Sequence, residues 1–441
     1  MNAELEFKKG IDESVIKEIS NIKNEPSWMR EYRIKSYKAF NELKMPSFGP
    51  NINIDFNDII FYKRINNKVS HDWKSVRCDV RNTFEDIGIQ EAESKYLGGV
   101  STQYESEVIY HNMLEELKEK NIIFVDTDTA LREYPDLFKK YFNKVVNYKE
   151  NKFTALNGCV WSGGSFIYIP PNTKLDRPLQ SYFRINTKDM GQFERTIIVV
   201  DEGSELHYIE GCTAPTYTSD SLHAAVVEIY VEKNAKCRYT TIQNWSSDIY
   251  NLVTKRAIVE ENGLMEWIDG NIGSKINMKY PACVLIGEGA RGNCVSIAMA
   301  DNEQIQDTGA KMIHMAPNTK SNIVAKSIAR NGGNATYRGI VKIDERAINS
   351  TSSVKCDTII LDEHSKSDTI PKNIVLNRSS AIEHEATVSK VSDEKLFYLT
   401  SRGIDEDKAR EMIIIGFVDA FKEELPMEYA VELNNLLKNK F

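Results

Sequence analysis

Residues 222–245, LHAAVVEIYVEKNAKCRYTTIQNW, decide the class of fold that this sequence predicts. They hold two runs rich in β-branched and aromatic residues, the composition of β-strands, on either side of the turn-like segment EKNAK. Further turn-like segments occur at 201 (DEGS), 260 (EENG), 287 (GEGARG), 316 (APNTKS) and 330 (RNGGN), and the first few are about 27 to 32 residues apart. Such a β region predicts a sandwich, a barrel or a stacked solenoid, and the quasi-period favours a solenoid of parallel strands.

Helical patterns flank this β region on both sides. Before it, residues 25–40 (EPSWMREYRIKSYKAF) and 105–120 (ESEVIYHNMLEELKEK) repeat apolar side chains at helical spacing. After it, residues 405–421 predict one helix, and Pro426 starts a second. We therefore divide the chain into a mostly helical region 1–150, a β core 151–390 in which no amphipathic helix is expected, and a C-terminal helical domain 391–441.

Composition and charge exclude several classes of function. The chain has 441 residues, of which 41% are hydrophobic and 27% charged, as in soluble globular proteins. A net charge of −8 argues against nucleic acid as the main ligand, because phosphate binding needs clustered cations. The longest apolar run near the C-terminus, MIIIGFV, is too short to cross a membrane, and MNAELEFKKG lacks the apolar core of a signal peptide. We expect a cytoplasmic protein that binds neither nucleic acid nor membrane.

The cysteines predict neither a disulfide framework nor a local metal ribbon. There are seven, none of them in a CxxC pair. An odd, scattered set without a secretory signal argues against disulfides, and the absence of close spacing argues against a zinc ribbon or a ferredoxin-type cluster. Any metal site must therefore combine residues that are distant in sequence.

Cys212, after Gly211 at the end of an alternating run, is a candidate nucleophile. Arg184 precedes it by 28 residues, and Gln243 and Trp245 follow it by 31 and 33. In a solenoid of this period these residues would lie on neighbouring turns, about 4.8 Å apart. A cation there would lower the pKa of Cys212 and favour the thiolate. The alternative is that Cys212 is a small buried core residue, the commoner place of a lone cysteine.

Cys356 and the segment IEHEAT (382–387) form a second candidate site, because His384 follows Cys356 by 28 residues. Thiolate, imidazole and carboxylate together are a plausible ligand set for iron. Side chains alternate along a strand, so we expect either His384 or the pair Glu383 and Glu385, but not both, on the side of Cys356. Taken alone, EHE is also typical of a solvated strand edge with surface salt bridges.

Two short motifs that resemble ligand sites are better explained by local structure. GEGARG fits GxGxxG, but the following NCVSIAMA is strand-like rather than helical, so we interpret it as a turn. The sequence contains no GxxxxGK[ST], so the chain does not have the sequence of an ATPase. Asp126 and Asp128 form a DxD motif, for which helix capping is the simpler interpretation.

Several long strings resemble the SufB/SufD family of the SUF iron–sulfur system. They are QSYFRIN, GQFERTIIVVDEGSELHYIEGCTAP, LHAAVVEIYVEKNAKCRYTTIQNW, NLVTKRA, KCDT and EHEATVSKVSDEKLFYLTSRGIDEDKA. EGCTAP together with EHEA resembles the SufB branch, and the similarity extends to EPSWMREYR and YESEVIYHN near the N-terminus. The resemblance implies a mainly β protein with a right-handed parallel β-helix core, flanked by an N-terminal helical region and a C-terminal helical domain that docks an ATPase.

The resemblance also implies a non-enzymatic scaffold for cluster assembly. Its expected partners are a SufC-type ABC ATPase, which hydrolyses the ATP, a cysteine desulfurase system as sulfur donor, and a SufD-type β-helix protein or a second copy of the chain. The expected cargo is iron and a nascent iron–sulfur cluster; the cluster type and the participation of reduced flavin stay open. The alternative within the same family is a SufD-like structural subunit that carries no cluster.

Residue by residue, the resemblance makes Cys212 the sulfur acceptor. It implies that the sulfur route is lined by Arg184, Asn186, Gln243, Trp245 and Lys255. It implies that iron and the nascent cluster are held by Cys356, Glu383, His384 and Glu385. Two departures stand out: the N-terminal part contains only Cys78 where some members have several cysteines, and the loop after KCDT carries His364 where some have a thiol.

Overall fold

The protein is a β-solenoid of about eight turns. The computed structural model describes residues 3–66, 68–85, 93, 95–215, 220–391 and 393–422. Two sheets, one of ten strands and one of thirteen, enclose a common interior, and nearly all neighbouring strands in them are parallel. Each turn of the chain adds a strand to both sheets, which confirms the predicted solenoid.

The strands have the following bounds. In the first 150 residues they are β1 (Leu5–Glu6), β2 (Lys63–Arg64), β3 (Gly99–Tyr104), β4 (Glu107–Met113) and β5 (Ile123–Asp126). In the rest of the chain they are β6 (Ser165–Ile169), β7 (Leu179–Arg184), β8 (Gly191–Gln192), β9 (Arg195–Val200), β10 (Glu205–Thr213), β11 (Ser221–His223), β12 (Val226–Val231), β13 (Lys236–Trp245), β14 (Ile249–Val259), β15 (Leu264–Gly273), β16 (Ile276–Lys279), β17 (Ala282–Leu285), β18 (Arg291–Ala300), β19 (Ile305–Thr308), β20 (Lys311–His314), β21 (Lys320–Ala329), β22 (Asn334–Ile343), β23 (Thr351–Ile360), β24 (Lys366–Val375) and β25 (Ala381–Lys390).

The ten-stranded sheet carries both candidate sites. Its strand order is β4-β3-β7-β10-β13-β15-β18-β21-β23-β25, so Cys212 on β10 and Cys356 on β23 are five strands apart. At about 4.8 Å per strand the two cysteines are separated by about 24 Å along the solenoid axis. The thirteen-stranded sheet faces it across the interior.

One corner of the solenoid explains the quasi-period of the sequence. At this corner Asn172, Gly203, Asn234, Asn262, Gly289, Asn318 and Asn349 all have positive φ, at intervals of 27 to 31 residues. Asparagine and glycine tolerate this left-handed conformation better than other residues. Backbone hydrogen bonds link successive corners, as from Asn234 N to the Glu261 carbonyl and from Asn262 N to the Glu288 carbonyl. The turn interpretation of GEGARG is thereby confirmed, since Gly289 lies in the loop between β17 and β18.

The solenoid interior is apolar over most of its length. Inward-facing residues of the ten-stranded sheet, such as Tyr208, Tyr239 and Trp267, share one buried cluster with Ile198 and Val227 of the opposite sheet. Each large apolar side chain buried in this way contributes roughly 1.5–3 kcal/mol to folding, so these columns hold the two sheets together. The opposite, outward-facing residues of the ten-stranded sheet form a second cluster with the C-terminal helix.

The helices of the described residues lie at both ends of the sequence. They are Glu13–Ile22, Ser27–Glu42, Cys78–Glu85, Glu115–Glu119, Thr127–Glu133, Pro135–Tyr141, Lys152–Val160, Asp393–Thr400 and Glu406–Lys422. Asp126 caps the helix Thr127–Glu133 through Thr129 N, as the capping interpretation predicts. None of these helices has both the length and the hydropathy of a membrane span.

One helix prediction is wrong. Residues 107–113 form strand β4 rather than a helix, because they pair antiparallel with β3 and close the first turn of the solenoid. Pairing with β3 in the folded structure outweighs the helical spacing of the apolar residues in this segment. The other difference is a helix that sequence reasoning did not identify: Lys152–Val160 lies at the start of the β core but is buried from Phe153 to Val160, so it is not the amphipathic helix that the prediction excluded. The second C-terminal helix, expected from Pro426, lies outside the described residues.

Candidate functional site

Cys212 lies on the inner face of β10, where two of the predicted site residues, Gln243 and Trp245, meet it. Its register partners on the neighbouring strands are Phe183 on β7 and Gln243 on β13. Trp245 packs with Cys212 and Phe183 in one buried apolar cluster. Arg184 lies on the adjacent strand as predicted, but it is in register with Thr213 rather than Cys212, so alternation places it on the opposite face of the sheet.

Asn186 lies just beyond β7, in the loop after Arg184. Its backbone N–H donates to Glu105 Oε1 at 3.3 Å, and Thr187 Oγ1 donates to the same oxygen at 2.6 Å. Glu105 N in turn donates to the Arg184 carbonyl at 3.0 Å. The buried Glu105 therefore holds the strand end that carries Arg184 and Asn186.

The expectation that a cation makes Cys212 a thiolate is wrong. Cys212 is only 2% exposed. Burial, followed by the charges of Glu210 and Glu194, raises the pKa of its thiol well above the ordinary value, while Lys255 and Lys279 oppose the shift. Desolvation of the charged form outweighs the nearby cations. Cys212 is therefore a neutral thiol at neutral pH.

Two buried N–H groups on the inner face beside Cys212 have no hydrogen-bond partner among the described residues. They are Gln243 Nε2 and Trp245 Nε1. A buried donor without an acceptor costs roughly 1–3 kcal/mol, so such groups are rare unless a ligand satisfies them. Both are donors, which fits a site for an anionic or polarisable acceptor next to Cys212. Arg184 Nε is also buried without such a partner, but on the opposite face of the sheet, in register with Thr213.

Lys255 reaches the same part of the interior from the opposite sheet. Its Nζ donates to Glu210 Oε1 at 3.0 Å and to Thr241 Oγ1 at 2.8 Å. Although burial favours the neutral amine, Glu210 and Asp269 raise the pKa of Lys255 above its ordinary value. The buried lysine is therefore a cation held by Glu210, the residue two positions before Cys212 on the inner face of β10.

Sequence reasoning missed most of the polar interior around Cys212. The additional buried residues are Glu194, Glu210, His223, Asn251, Asp269, Asn277 and Lys279. Their signal is faint but present: polar residues at inward-facing positions of otherwise apolar strands, such as Glu210 in YIEGC. Because alternation alone cannot tell the inner face from the outer one, that signal needs the structure to be interpreted.

Cys356 and His384 meet at the far end of the solenoid. Cys356 Sγ lies 3.8 Å from His384 Nε2, across the pair β23 and β25. Glu383 and Glu385 are exposed on the opposite face, where Glu385 pairs with Lys355 at 3.6 Å. The prediction that only one of the two sets faces Cys356 is confirmed, and the set is His384.

The protonation states of this pair suit metal binding. Burial raises the pKa of Cys356 to about 12, with the neighbouring Tyr337 hydroxyl opposing the shift. Burial lowers the pKa of His384, so its imidazole is neutral, the form that coordinates metals. A metal ion that binds here must displace the proton of Cys356, as thiolate ligands generally require.

The pair is not a complete metal site by itself. No group of three or more His, Cys, Asp or Glu side chains within the described part of the chain is placed to hold one ion. Cys356 and His384 fit iron in ligand type but offer only two ligands. Neither Cys356 nor His384 has a further protein ligand placed beside it within residues 3–422 as far as the structure describes them. His364 is exposed on a surface loop, as its simpler interpretation predicts.

A row of residues in register on successive strands, here called the interior column, connects the surroundings of Cys212 with Cys356. Residues in register on successive strands from β10 to β23 are Glu210, Thr241, Asp269, Ser296, Ala325 and Cys356. All six are buried. The inner face that carries Cys212 beside Glu210 therefore continues without interruption to Cys356.

Comparison with known proteins agrees with this architecture. The family model described as "SUF system FeS cluster assembly, SufBD core domain" matches residues 183–417, and "SufBD protein N-terminal region" matches residues 16–181. An iron–sulfur cluster assembly SufBD family protein of Staphylococcus aureus (strain MRSA252) is 60% identical over 431 residues, covering 98% of this chain and 93% of the relative. One of Staphylococcus saprophyticus is 59% identical with the same coverage. The chain therefore belongs to the SufB/SufD family of the SUF system for iron–sulfur cluster assembly.

Proposed function

We propose that the chain is a SufB-type scaffold on which an iron–sulfur cluster is built. Sulfur is accepted as persulfide at Cys212 and passes along the solenoid interior to Cys356. Iron is held there by Cys356 and His384. The contact of 3.8 Å between Cys356 Sγ and His384 Nε2, at the end of the interior column, is the observation that carries this proposal.

The surroundings of Cys212 support the sulfur-accepting role. A persulfide anion needs hydrogen-bond donors and cations, and the unpartnered N–H groups of Gln243 and Trp245 together with Lys255 supply both. Arg184 and Asn186 lie at the adjacent end of β7, which Glu105 holds in place. Three of the five predicted residues thus act near Cys212 itself, and the other two belong to the neighbouring strand end.

A partner chain completes the site at Cys356. The described residues supply two ligands there, and a SufD-type chain or a second copy would provide more across the last turn of the solenoid. Glu383 and Glu385, exposed on β25, would then join the site from the interface side. A SufC-type ABC ATPase docks on the C-terminal helices, and its ATP-driven movement opens or closes this end. Sulfur comes from a cysteine desulfurase system.

A second candidate is the SufD-like subunit that carries no cluster. The absence of any three-ligand group among the described residues favours it. It predicts that the purified chain forms no cluster under any conditions, whereas the scaffold predicts that Cys356 and His384 are needed for one.

Anaerobic reconstitution with ferrous iron and sulfide separates the two functions. We expect the wild-type chain to develop the visible absorption of an iron–sulfur cluster, and both Cys356→Ala and His384→Ala to lose it. His364→Ala is the matched control, because His364 is an exposed histidine near the same end. A normal cluster yield from either site variant would refute the assignment, and no absorption from the wild type would favour the SufD-like subunit.

A further inference from the structure

A chain of buried hydrogen bonds runs past Cys212 and ends on Gln243. His223 Nε2 contacts Glu194, and His223 Nδ1 lies 2.6 Å from Asn251 Oδ1. Asn251 Nδ2 donates to Gln243 Oε1 at 2.8 Å, and Lys279 Nζ donates to the same oxygen at 3.0 Å. Four residues of this series of hydrogen bonds are no more than 1% exposed: His223, Asn251, Gln243 and Lys279.

The direction of every bond in this chain is fixed by charge. Burial alone would keep His223 neutral, but the adjacent Glu194 carboxylate raises the pKa of the imidazole and favours the imidazolium. An imidazolium can only donate, so Asn251 must present its oxygen to His223 and its amide N–H to Gln243. Burial lowers the pKa of Lys279, and Asp269, 3.1 Å away, opposes that shift. As an ammonium Lys279 can only donate, so it requires the oxygen of Gln243 as well.

Gln243 is consequently left with its N–H₂ end free. Gln243 Nε2 is buried and has no hydrogen-bond partner among the described residues. Gln243 is also the register partner of Cys212 on the adjacent strand, and both side chains face the interior. The free N–H₂ group of Gln243, at the end of this series of hydrogen bonds, therefore lies on the inner face next to the Cys212 thiol.

We propose that His223, Asn251 and Lys279 are positioning residues that lock the amide of Gln243 with its N–H₂ group available to the sulfur on Cys212. This rests on the proposed role of Cys212 as persulfide acceptor. Without two donors on Oε1, the amide is free to rotate by half a turn and offer its oxygen instead. An oxygen there repels an anionic terminal sulfur, whereas an N–H stabilises it.

Lys279 has a second effect on the same sulfur. Its ammonium group pairs with Asp269 at 3.1 Å and its charge acts on both Cys212 and Cys294. It therefore favours an anion at Cys212 directly as well as through Gln243. This makes Lys279 the most informative residue to change.

Persulfide loading of the full-length chain tests the proposal, with inorganic polysulfide as the probe under anaerobic conditions. The thiol of Cys212 loses its proton to solvent, and the thiolate attacks a sulfur of the polysulfide. One S–S bond forms to Cys212 and one S–S bond of the polysulfide breaks. The shortened polysulfide leaves with the electron pair of the broken bond. Alkylation and mass spectrometry then measure the persulfide on Cys212 over a range of pH. We expect Lys279→Met and Asn251→Leu to lower its occupancy by about tenfold, the effect of losing one hydrogen bond to an anion.

Two controls separate positioning from general damage. Lys279→Arg keeps the donors and is expected to restore loading, and Lys275→Met, which removes an exposed lysine paired with Asp220, is expected to load as the wild type does. Cys237, fully buried elsewhere in the interior, must stay unreactive toward the alkylating agent. If Lys279→Met makes Cys237 reactive toward the alkylating agent, that variant has disturbed the fold. The smaller change Asn251→Ser then tests the inference in its place.

Three outcomes are distinct. Wild-type loading of Cys212 with a loss in Lys279→Met and Asn251→Leu supports the inference. Equal loading in the wild type and both variants overturns the inference but leaves the proposed function standing. No persulfide on wild-type Cys212 overturns the proposed function itself.

Discussion

At the scale of single residues, the alternation along β25 decides what the segment EHE can do. His384 points to Cys356, while Glu383 and Glu385 are exposed on the other face. A single chain can therefore bring the imidazole, but neither carboxylate, to the thiol. The carboxylates can take part only where another molecule covers β25.

This geometry predicts different behaviour for the two kinds of side chain. In the isolated chain we expect His384→Ala to weaken ferrous iron binding by at least about tenfold, the effect of losing one of two protein ligands. Glu385→Ala should bind iron as the wild type does, because Glu385 is exposed on the face away from Cys356 and pairs there with Lys355. Anaerobic equilibrium titration measures both.

The same titration on the chain in complex with a SufD-type partner is the companion measurement. There we expect Glu385→Ala to reduce iron binding as well, since the interface brings the outer face of β25 into the site. A strong effect of Glu385→Ala in the isolated chain would contradict the orientation of the strand.

At the scale of elements, the end of β15 shows how the solenoid positions Trp245. Gly273 has φ +78°, and a Cβ at this position would lie 1.7 Å from the Trp245 carbonyl oxygen. Gly273 is the register partner of Trp245, so the backbones of the two turns meet where the indole is held. Only glycine allows this close approach.

Gly273→Ala is therefore expected to destabilise the protein and to displace Trp245. The matched control is Gly332→Ala: Gly332 has φ +79°, but its added Cβ would meet only the Glu303 side chain at 3.5 Å. Both changes carry the strain of a positive φ, about 1 kcal/mol, and only Gly273→Ala adds the backbone clash. Urea denaturation followed by tryptophan fluorescence should show a clearly larger loss for Gly273→Ala; equal losses would contradict the close approach.

At the scale of the whole molecule, the two ends of the solenoid differ. The antiparallel pairs β3–β4 and β5–β6 close the end near Cys212. At the other end, strands β24 and β25 and the residue that follows β24 carry large exposed apolar side chains, with between 42% and 51% of their surface accessible: Ile370, Val375, Leu376 and Val388. An open edge of this kind is typical of a surface that binds another chain.

We expect Val388→Lys to weaken association with a SufD-type partner, or with a second copy of the chain, because a charge would be buried at the interface. Folding should be unaffected, since Val388 is 51% exposed. Analytical ultracentrifugation of the mixed chains measures the effect. Lys390→Glu, another exposed position on β25, controls for a change of charge alone, and unchanged association of Val388→Lys would show that this edge is not the interface.

Glu105 makes the stability of the whole fold depend on pH. Burial raises its pKa from 4.5 to about 7, so the folded chain keeps a proton that the unfolded chain releases. Stability contributed by this group therefore falls as pH rises from 4.5 to 7. Glu105→Gln removes the dependence and keeps an acceptor for Thr187 Oγ1.

We expect the unfolding free energy of Glu105→Gln, relative to the wild type, to rise by about 2 kcal/mol between pH 5 and pH 8. Chemical denaturation at the two pH values measures this difference. Glu383→Gln, which makes the same change at an exposed position on β25, serves as the control. A constant difference between Glu105→Gln and the wild type would contradict the raised pKa.

The repeats in the sequence predict the solenoid and the alignment of its candidate site residues. Asparagine and glycine at intervals set by the corners predict the period, and the period places Gln243 beside Cys212 and His384 near Cys356. Alternation predicts that the histidine and the glutamates of EHE face apart. These are local regularities of a repeating backbone, so they can be read without the tertiary structure.

The charges around Cys212 and the strand pairing that closes the first turn of the solenoid depend on the tertiary structure. Residues 107–113 become a strand because β3 offers an edge to pair with, which no helical period reveals. Cys212 is a neutral thiol because burial and two carboxylates outweigh the cations around it. Lys279 reaches Gln243 from the opposite sheet, 36 residues away in sequence. Burial and cross-interior contacts depend on where the whole chain places its charges, so they are properties of the folded molecule and not of any one segment.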